Sequence, residues 1–146
     1  MAVRLVVVAG VAVREGRIML CQRRSGVHNA LKWEFPGGKL EDGESPEAAL
    51  RRELREELSI DVRVGRIVDA VVHRYPDRDV LLMFYRCEIV AGEPRTVDCN
   101  AIAWARPEDV PKYDFAGADR AFVERNLEQG AFTLPHHRSS DRMEMI

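Results

Sequence analysis

Residues 34–60 read EFPGGKLEDGESPEAALRRELREELSI. The first part of this stretch holds Pro36, Gly37, Gly38 and Gly43, and nothing after Pro46 is Gly or Pro. A loop therefore gives way to a helix, and the changeover has a mechanism. Ser45 is a good N-cap, and Pro46 suits the first helical position, where its missing N–H is not needed. From Glu47 to Leu58 the chain is Ala, Leu, Arg and Glu, all good helix formers.

At about 100° per residue, this helix sorts into three faces. Leu50, Leu54 and Leu58 make an i, i+4, i+8 apolar stripe that belongs on a core. Arg51, Arg52 and Arg55 are expected on the far side. Glu53, Glu56 and Glu57 share a narrow arc, since their spacings are i, i+3 and i+4. Three carboxylates so close repel one another unless a cation joins them. Hard oxygen donors on one rigid face suit Mg²⁺ or Mn²⁺, which keep sites for water and a substrate phosphate. The plainer alternative is a solvated helix with pairs such as Arg52–Glu56, worth a few tenths of a kcal/mol each. The loop in front weighs against it. Gly37 and Gly38 permit close backbone approach, Lys39 adds a cation, and Glu44 adds a carboxylate at the helix start.

Gly38, five residues, Glu44, seven residues, then Arg52-Glu53-Leu54-Arg55-Glu56-Glu57-Leu58-Ser59-Ile60 resembles the Nudix box. Every fixed position of that signature matches except one, where Ser59 replaces a Gly. That position follows the carboxylates at the helix C-terminus, where Gly eases the exit. Ser59 is therefore expected to strain or reshape the turn without abolishing chemistry.

The likeness extends over most of residues 3–125 to the MutT-like branch. It is carried by Arg23-Arg24, Trp33 to Gly38, Tyr75-Pro76-Asp77-Arg78 and Ala91-Gly92-Glu93-Pro94. It implies an α/β/α sandwich, an α+β fold with a mixed β-sheet between helices. It also implies an enzyme that uses Mg²⁺, with Mn²⁺ a possible substitute, to remove pyrophosphate from nucleoside triphosphates. Carried over position by position, the metal ligands are the Gly37 carbonyl, Glu53, Glu56 and Glu57. Asp98, six residues before Trp104, stands where the branch usually has Glu. Glu53 is the candidate for orienting or deprotonating water, with Glu44 and Lys39 in support. Arg23 matches a phosphate clamp, and Gly38 a place of close approach to substrate. Each has a plainer reading: Arg23 as a surface residue, Asp98 as a loop carboxylate, Lys39 as a partner for Glu41.

The base pocket decides the substrate. Asp119 matches an Asn that reads 8-oxoguanine in the MutT type. A related branch acting on CTP and modified dCTP carries Ala-Asp there, as in Ala118-Asp119. An ionised Asp only accepts hydrogen bonds, which suits an exocyclic amino group; a carboxylate at a helix N-terminus also needs no ligand to explain it. Tyr75, Phe35 and Arg78 are candidate pocket walls, with Phe35 alternatively core. The fuller match favours 8-oxo-dGTP and a pool-sanitising role. The rivals are a cytosine nucleotide, a nucleotide-sensing module without turnover, and a purely structural domain. Intact Glu53, Glu56 and Glu57 disfavour the sensing module.

The composition agrees with one globular domain, expected over residues 1–134, with 135–146 as a tail. A net charge of −2 argues against a polymeric nucleic-acid partner, which calls for a basic stripe. The apolar N-terminal run is too short and Gly-interrupted to span a membrane. Cys21, Cys87 and Cys99 form no CxxC pair, which reads as reduced thiols in the cytoplasm. Monomer and homodimer are both compatible.

Further elements follow from patterning. Residues 3–13 and 17–22 read as a hairpin about Glu15-Gly16, and 33–35 as a short strand. Residues 62–72 read as a strand or two, 75–79 as a turn, and 80–90 as the central strand. Residues 101–105 form a last strand, and Pro107-Glu108-Asp109 starts a turn. A second helix runs from Gly117 to Gln129, with Ala118, Phe122, Val123 and Leu127 on one face and Gly130 as its stop. His28 reads as a surface loop residue. His136 and His137 are adjacent, so their side chains diverge and make a poor metal site.

Overall fold

The computed structural model describes residues 3–128. Its elements are β1 (Val3–Arg14), β2 (Arg17–Gln22), β3 (Trp33–Glu34), β4 (Gly37–Lys39), α1 (Pro46–Leu58), β5 (Asp61–Tyr75), β6 (Arg78–Ala91), β7 (Ala101–Ala105) and α2 (Gly117–Glu128). A 3₁₀ turn over Pro107–Lys112 precedes α2. Gly130, the expected helix stop, and the tail with His136 and His137 lie outside the described residues, as does the side chain of Leu127.

The sheet is mixed. β1 runs parallel to β6 through the register Val3↔Arg78 to Ala12↔Cys87, while β4 and β2 pair antiparallel with β1. β5 closes the far edge antiparallel to β6, and β7 pairs with β2. The strand order is β3-β2-β1-β6-β5, with β4 and β7 off that path. Residues 80–90 are interior, as their unbroken apolar run demands.

Alternation along the strands splits the core in two. Val8, Ala12, Met19, Cys21, Tyr85 and Cys87 point toward α1 and pack on Leu50, Leu54 and Leu58. Ala9, Val11, Ile18, Leu20, Leu82 and Phe84 point the other way, toward Ala118, Phe122 and Val123 of α2. The sheet therefore lies between the two helices, as the resemblance implied.

Three expectations change. Gly37–Lys39 is not loop but β4, with Gly38 opposite Val8, because two glycines let the backbone lie flat against β1. Residues 61–75 are one strand whose register shifts at Asp61/Val62, Val64/Ile67 and Ile67/Asp69, which accounts for the broken alternation. The expected 75–79 turn narrows to Pro76 and Asp77, since Arg78 and Asp79 already pair with Tyr75 and Arg74.

Helix α1 matches its expected bounds. The Ala48 N–H donates to Ser45 Oγ at 3.1 Å, and Pro46 opens the helix. Ser59 ends it at φ 63°, ψ 37°, with its N–H on the Arg55 carbonyl. The turn is the left-handed one that Gly would adopt freely, so Ser59 strains it without reshaping it. A non-Gly residue there costs about 1 kcal/mol. Ser59→Gly should raise Tm by about 2–4 °C in a calorimetric melt. An unchanged or lower Tm would show that the serine carries no such strain.

Candidate active site

The acidic arc of α1 faces β4. Glu53 lies against Gly38 so closely that a Cβ at Gly38 would sit 2.1 Å from Glu53 Oε2. At Gly37 a Cβ would meet the Val8 carbonyl oxygen at 1.9 Å. Neither position can carry a side chain, and this is the physical reason for the Gly-Gly pair.

Arg52 is not on the far side of α1 as expected. Its guanidinium grips Glu44 through Nε (2.6 Å) and Nη2 (3.0 Å), and its Nη1 reaches Glu53 and Glu56, both at 3.3 Å. Nη2 also donates to the Lys39 carbonyl at 3.1 Å, tying β4 to the helix. One residue along the helix turns only about 100°, so a long side chain at Arg52 can swing back over the Glu53–Glu56 edge. The i, i+4 spacing to Glu56 was the available sequence signal; the reach back to Glu44 was not legible. Arg52 holds the Glu44 carboxyl below its usual range.

Glu57 is the odd member. Its Oε1 is buried and has no hydrogen-bond partner among the described residues. Burial first, then the charges of Glu34 and other neighbours including Glu53 and Asp98, push its pKa up to about 9. Burial also pushes Glu53 up, against the pull of Arg52. A buried unpartnered carboxyl oxygen commonly costs about 1–3 kcal/mol. Among the described residues no three His, Cys, Asp or Glu side chains already stand as a metal-holding group. Arg52 serves instead as the internal cation for Glu53 and Glu56, and Glu57 is left with none. Hard oxygens, one of them orphaned, against a bare Gly-Gly backbone fit a divalent cation.

Glu34 belongs to this cluster and was missed in the sequence reading. Its neighbours Trp33 and Phe35 pack with the α2-side core, so period-two alternation turns Glu34 to the opposite face, toward Glu57. That alternation was readable. Glu34 accepts from Arg23 Nη1 at 3.2 Å, and Arg23 Nε donates to the His28 carbonyl at 2.7 Å. Arg23 is thus pinned and half-buried rather than loose on the surface.

The remaining candidates separate. The Asp98 N–H donates to the Glu57 carbonyl at 3.2 Å, but its carboxylate turns outward to Arg24 at 2.8 Å. Lys39 is exposed at the end of β4. His28 is exposed, as expected, and meets Tyr75 edge-on at 6.3 Å. Arg78 is exposed opposite Tyr75, five residues along β1 from the Gly38 pairing, or about 17 Å. Phe35 packs in the α2-side core. It is 3 % exposed, stacked on Phe115 and edge-on to Phe84 and Phe122, so the alternative core reading holds.

Asp119 is buried in the first turn of α2, and the Phe35 N–H donates to its Oδ1 at 3.0 Å. Burial drives its pKa up to about 8, opposed chiefly by that hydrogen bond. Burial thus favours the neutral carboxyl over the ionised, accept-only form that residue type suggests.

Comparison with known proteins gives the family. The Nudix domain model matches residues 3–125. The chain belongs to the Nudix family. It is 46% identical over 83 residues to an 8-oxo-dGTP diphosphatase of Proteus vulgaris, covering 56% of this chain and 74% of that protein. It is 37% identical over 118 residues to a CTP pyrophosphohydrolase of Escherichia coli, covering 81% and 87% respectively. The solution structure of the E. coli ORF135 protein superposes with a TM-score of 0.77 at 34% identity, covering 89% of this chain and 93% of that one. The chain is accordingly a Nudix hydrolase, an enzyme acting on phosphoanhydride bonds. Among the described residues, no helix is long and apolar enough to cross a membrane.

Proposed function

We propose that this Nudix hydrolase is a Mg²⁺-dependent nucleoside triphosphate pyrophosphohydrolase, with 8-oxo-dGTP as its preferred substrate. Water attack would release a nucleoside monophosphate and pyrophosphate. The observation that carries the reading is Glu57 Oε1, buried and unpartnered beside the Glu53–Gly38 contact. Glu53, Glu56, Glu57 and the Gly37 carbonyl are the residues to hold the ion, with Asp98 available once it leaves Arg24. Mn²⁺ can take the same hard donors. When bound, the ion supplies charge to the phosphate oxygens and makes nearby water more acidic.

The chain's own residues do the rest. Glu53, raised by burial and fixed against Gly38, orients the attacking water and takes its proton. Arg52 fixes Glu44 and Glu53, and through Lys39 the β4 backbone, so the base does not wander. Arg23, held by Glu34 and the His28 carbonyl, presents a guanidinium edge to a phosphate. Lys39, exposed at the end of β4, offers a second cation to the leaving pyrophosphate. A site on rigid strand and helix backbones keeps this geometry before substrate arrives.

Base choice rests on Asp119. With Oδ1 accepting from Phe35, the oxygen left for a ligand carries the proton at neutral pH. A donor there matches the O6 acceptor of 8-oxoguanine better than the amino group of cytosine. The likeness to the CTP enzyme keeps a cytosine nucleotide as the second reading. The deciding assay is pyrophosphate release with Mg²⁺ across 8-oxo-dGTP, dGTP, CTP, 5-methyl-dCTP and a nucleotide sugar. The highest kcat/KM is expected with 8-oxo-dGTP. Highest turnover of CTP would move the substrate; cleavage of the sugar nucleotide alone would reject the triphosphate class.

Asp119→Ala should change the ratio of kcat/KM between bases by about ten- to a hundredfold, the worth of one base-directed hydrogen bond. In the unmodified enzyme the same preference should fade as pH rises through about 8, because the donor is lost. Equal losses on every nucleotide would remove Asp119 from base reading. A cytoplasmic, pool-sanitising role belongs to the same proposal and fits the three free cysteines.

A further inference from the structure

One imidazole stands beside the proposed base site, and neither the hydrolytic chemistry nor base reading by Asp119 uses it. His73 lies near the end of β5, half-buried and two residues beyond Val71. Strand alternation therefore gives it the face that Val71 turns to the α2-side core. Its ring meets the Tyr75 ring edge-on, with 4.6 Å between centroids and 68° between planes. On its other side is Gly117, the first residue of α2. A Cβ at Gly117 would sit 2.7 Å from His73 Nε2 and 2.9 Å from Cε1. Gly117 has no left-handed φ, so it is the space taken by this ring that calls for glycine there. Tyr75 in turn meets His28, in the loop whose carbonyl holds Arg23. The first turn of α2 carries Asp119, tied to the Phe35 N–H at 3.0 Å. A line of contacts thus runs from the Arg23 loop through Tyr75 and His73 to the start of α2.

We infer that His73 is a positioning residue for base recognition, a wedge that sets the spacing between Tyr75 and the first turn of α2. A planar ring has few low-energy settings, and one lodged between another ring and a helix backbone has fewer still. With the ring gone, the end of β5 and the start of α2 are free to close or drift. A base bound there then loses its register with Asp119, and small errors of position weigh heavily where contacts are directional. The wedge acts on the base end of the site, so its loss shows in which nucleotide is preferred.

The inference rests on the proposed base reading by Asp119, and the experiment separates the two. Kinetics on 8-oxo-dGTP, dGTP and CTP are compared for the full-length enzyme, His73→Ala, Gly117→Ala and the double variant, with a melt of each to confirm folding. A methyl at 117 takes the place of the ring's far edge, which can swing aside, so Gly117→Ala should displace the wedge and leave the fold standing. Each single variant should reduce the ratio of kcat/KM between best and poorest base by about tenfold, mainly through KM. The double variant should match the singles, whereas independent sites would multiply to about a hundredfold. Multiplied losses, equal losses on every base, or an unchanged ratio in either single variant would overturn the inference. Release from no triphosphate by the unmodified enzyme would reject the proposed function instead. The contact is then still tested by the NMR signals of the His73 ring, which Gly117→Ala should shift; unmoved signals would overturn it.

Discussion

Glu53→Gln should lower kcat by about two to four orders of magnitude while the fold and KM stay close to those of the parent. Gln has the shape of Glu, so the contact with Gly38, where no Cβ fits, is preserved. What disappears is the proton acceptor. The lost Arg52–Glu53 pair, at 3.3 Å with both side chains partly exposed, costs less than about 1 kcal/mol of stability. The pH profile gives a second readout. A base must be ionised to act, so kcat rises as pH passes through its pKa. Burial lifts Glu53 above its ordinary 4.5, which moves that limb toward neutral pH. The limb should vanish in the variant, leaving low, nearly flat activity. Turnover within a few-fold of the parent, or an unaltered acid limb, would take Glu53 out of proton transfer. A large drop in Tm would mark it as structural instead.

The parts of this site that were legible in the sequence are those set by local backbone physics. Ser45, Pro46 and the leucine stripe define α1 without help from the rest of the chain, and its carboxylate arc follows from helical pitch. The long apolar run 80–90 announces an interior strand for a similarly local reason. Long-range pairing is different. Nothing nearby says that Gly37–Lys39 joins β1, or that Arg52 reaches Glu44 eight residues away. Asp119 shows the limit of residue type as a guide. As a surface helix carboxylate it would be ionised and accept-only, but burial against Phe35 favours its neutral form, and no local pattern encodes that burial. Phe35 itself reads as pocket or core from its neighbours; only the rings of Phe84, Phe115 and Phe122 decide for core. Glu34 lies between these cases, since strand alternation fixed its face but not the proximity of Glu57.

Glu57→Gln should make the metal-free protein more stable at high pH while weakening its response to Mg²⁺, two changes of opposite sign at one atom. In the folded chain Glu57 holds its proton up to about 9, against an ordinary value of 4.5. Between those values the folded state carries a proton that the unfolded state has released. Stability contributed this way is complete below about 4.5 and drains away as pH climbs toward 9. At about 1.4 kcal/mol per pKa unit, the ceiling on the loss is about 6 kcal/mol. Gln cannot ionise, so in EDTA its Tm should run flatter from about pH 5 to about pH 9 and exceed the parent's at the alkaline end. Adding Mg²⁺ should reverse the ranking. The ion favours the ionised carboxylate, so the parent should gain most stability from it at alkaline pH. The variant lacks that charge, and its Mg²⁺ affinity should fall by more than the roughly ten- to hundredfold lost when an outer-shell partner is removed. Calorimetric melts with and without Mg²⁺ at three pH values measure both effects. Parallel pH curves in EDTA would mean that Glu57 is not the buried acid. An equal Mg²⁺ gain in both proteins would place the ion away from α1, and the hydrolytic reading of the acidic arc would fall with it.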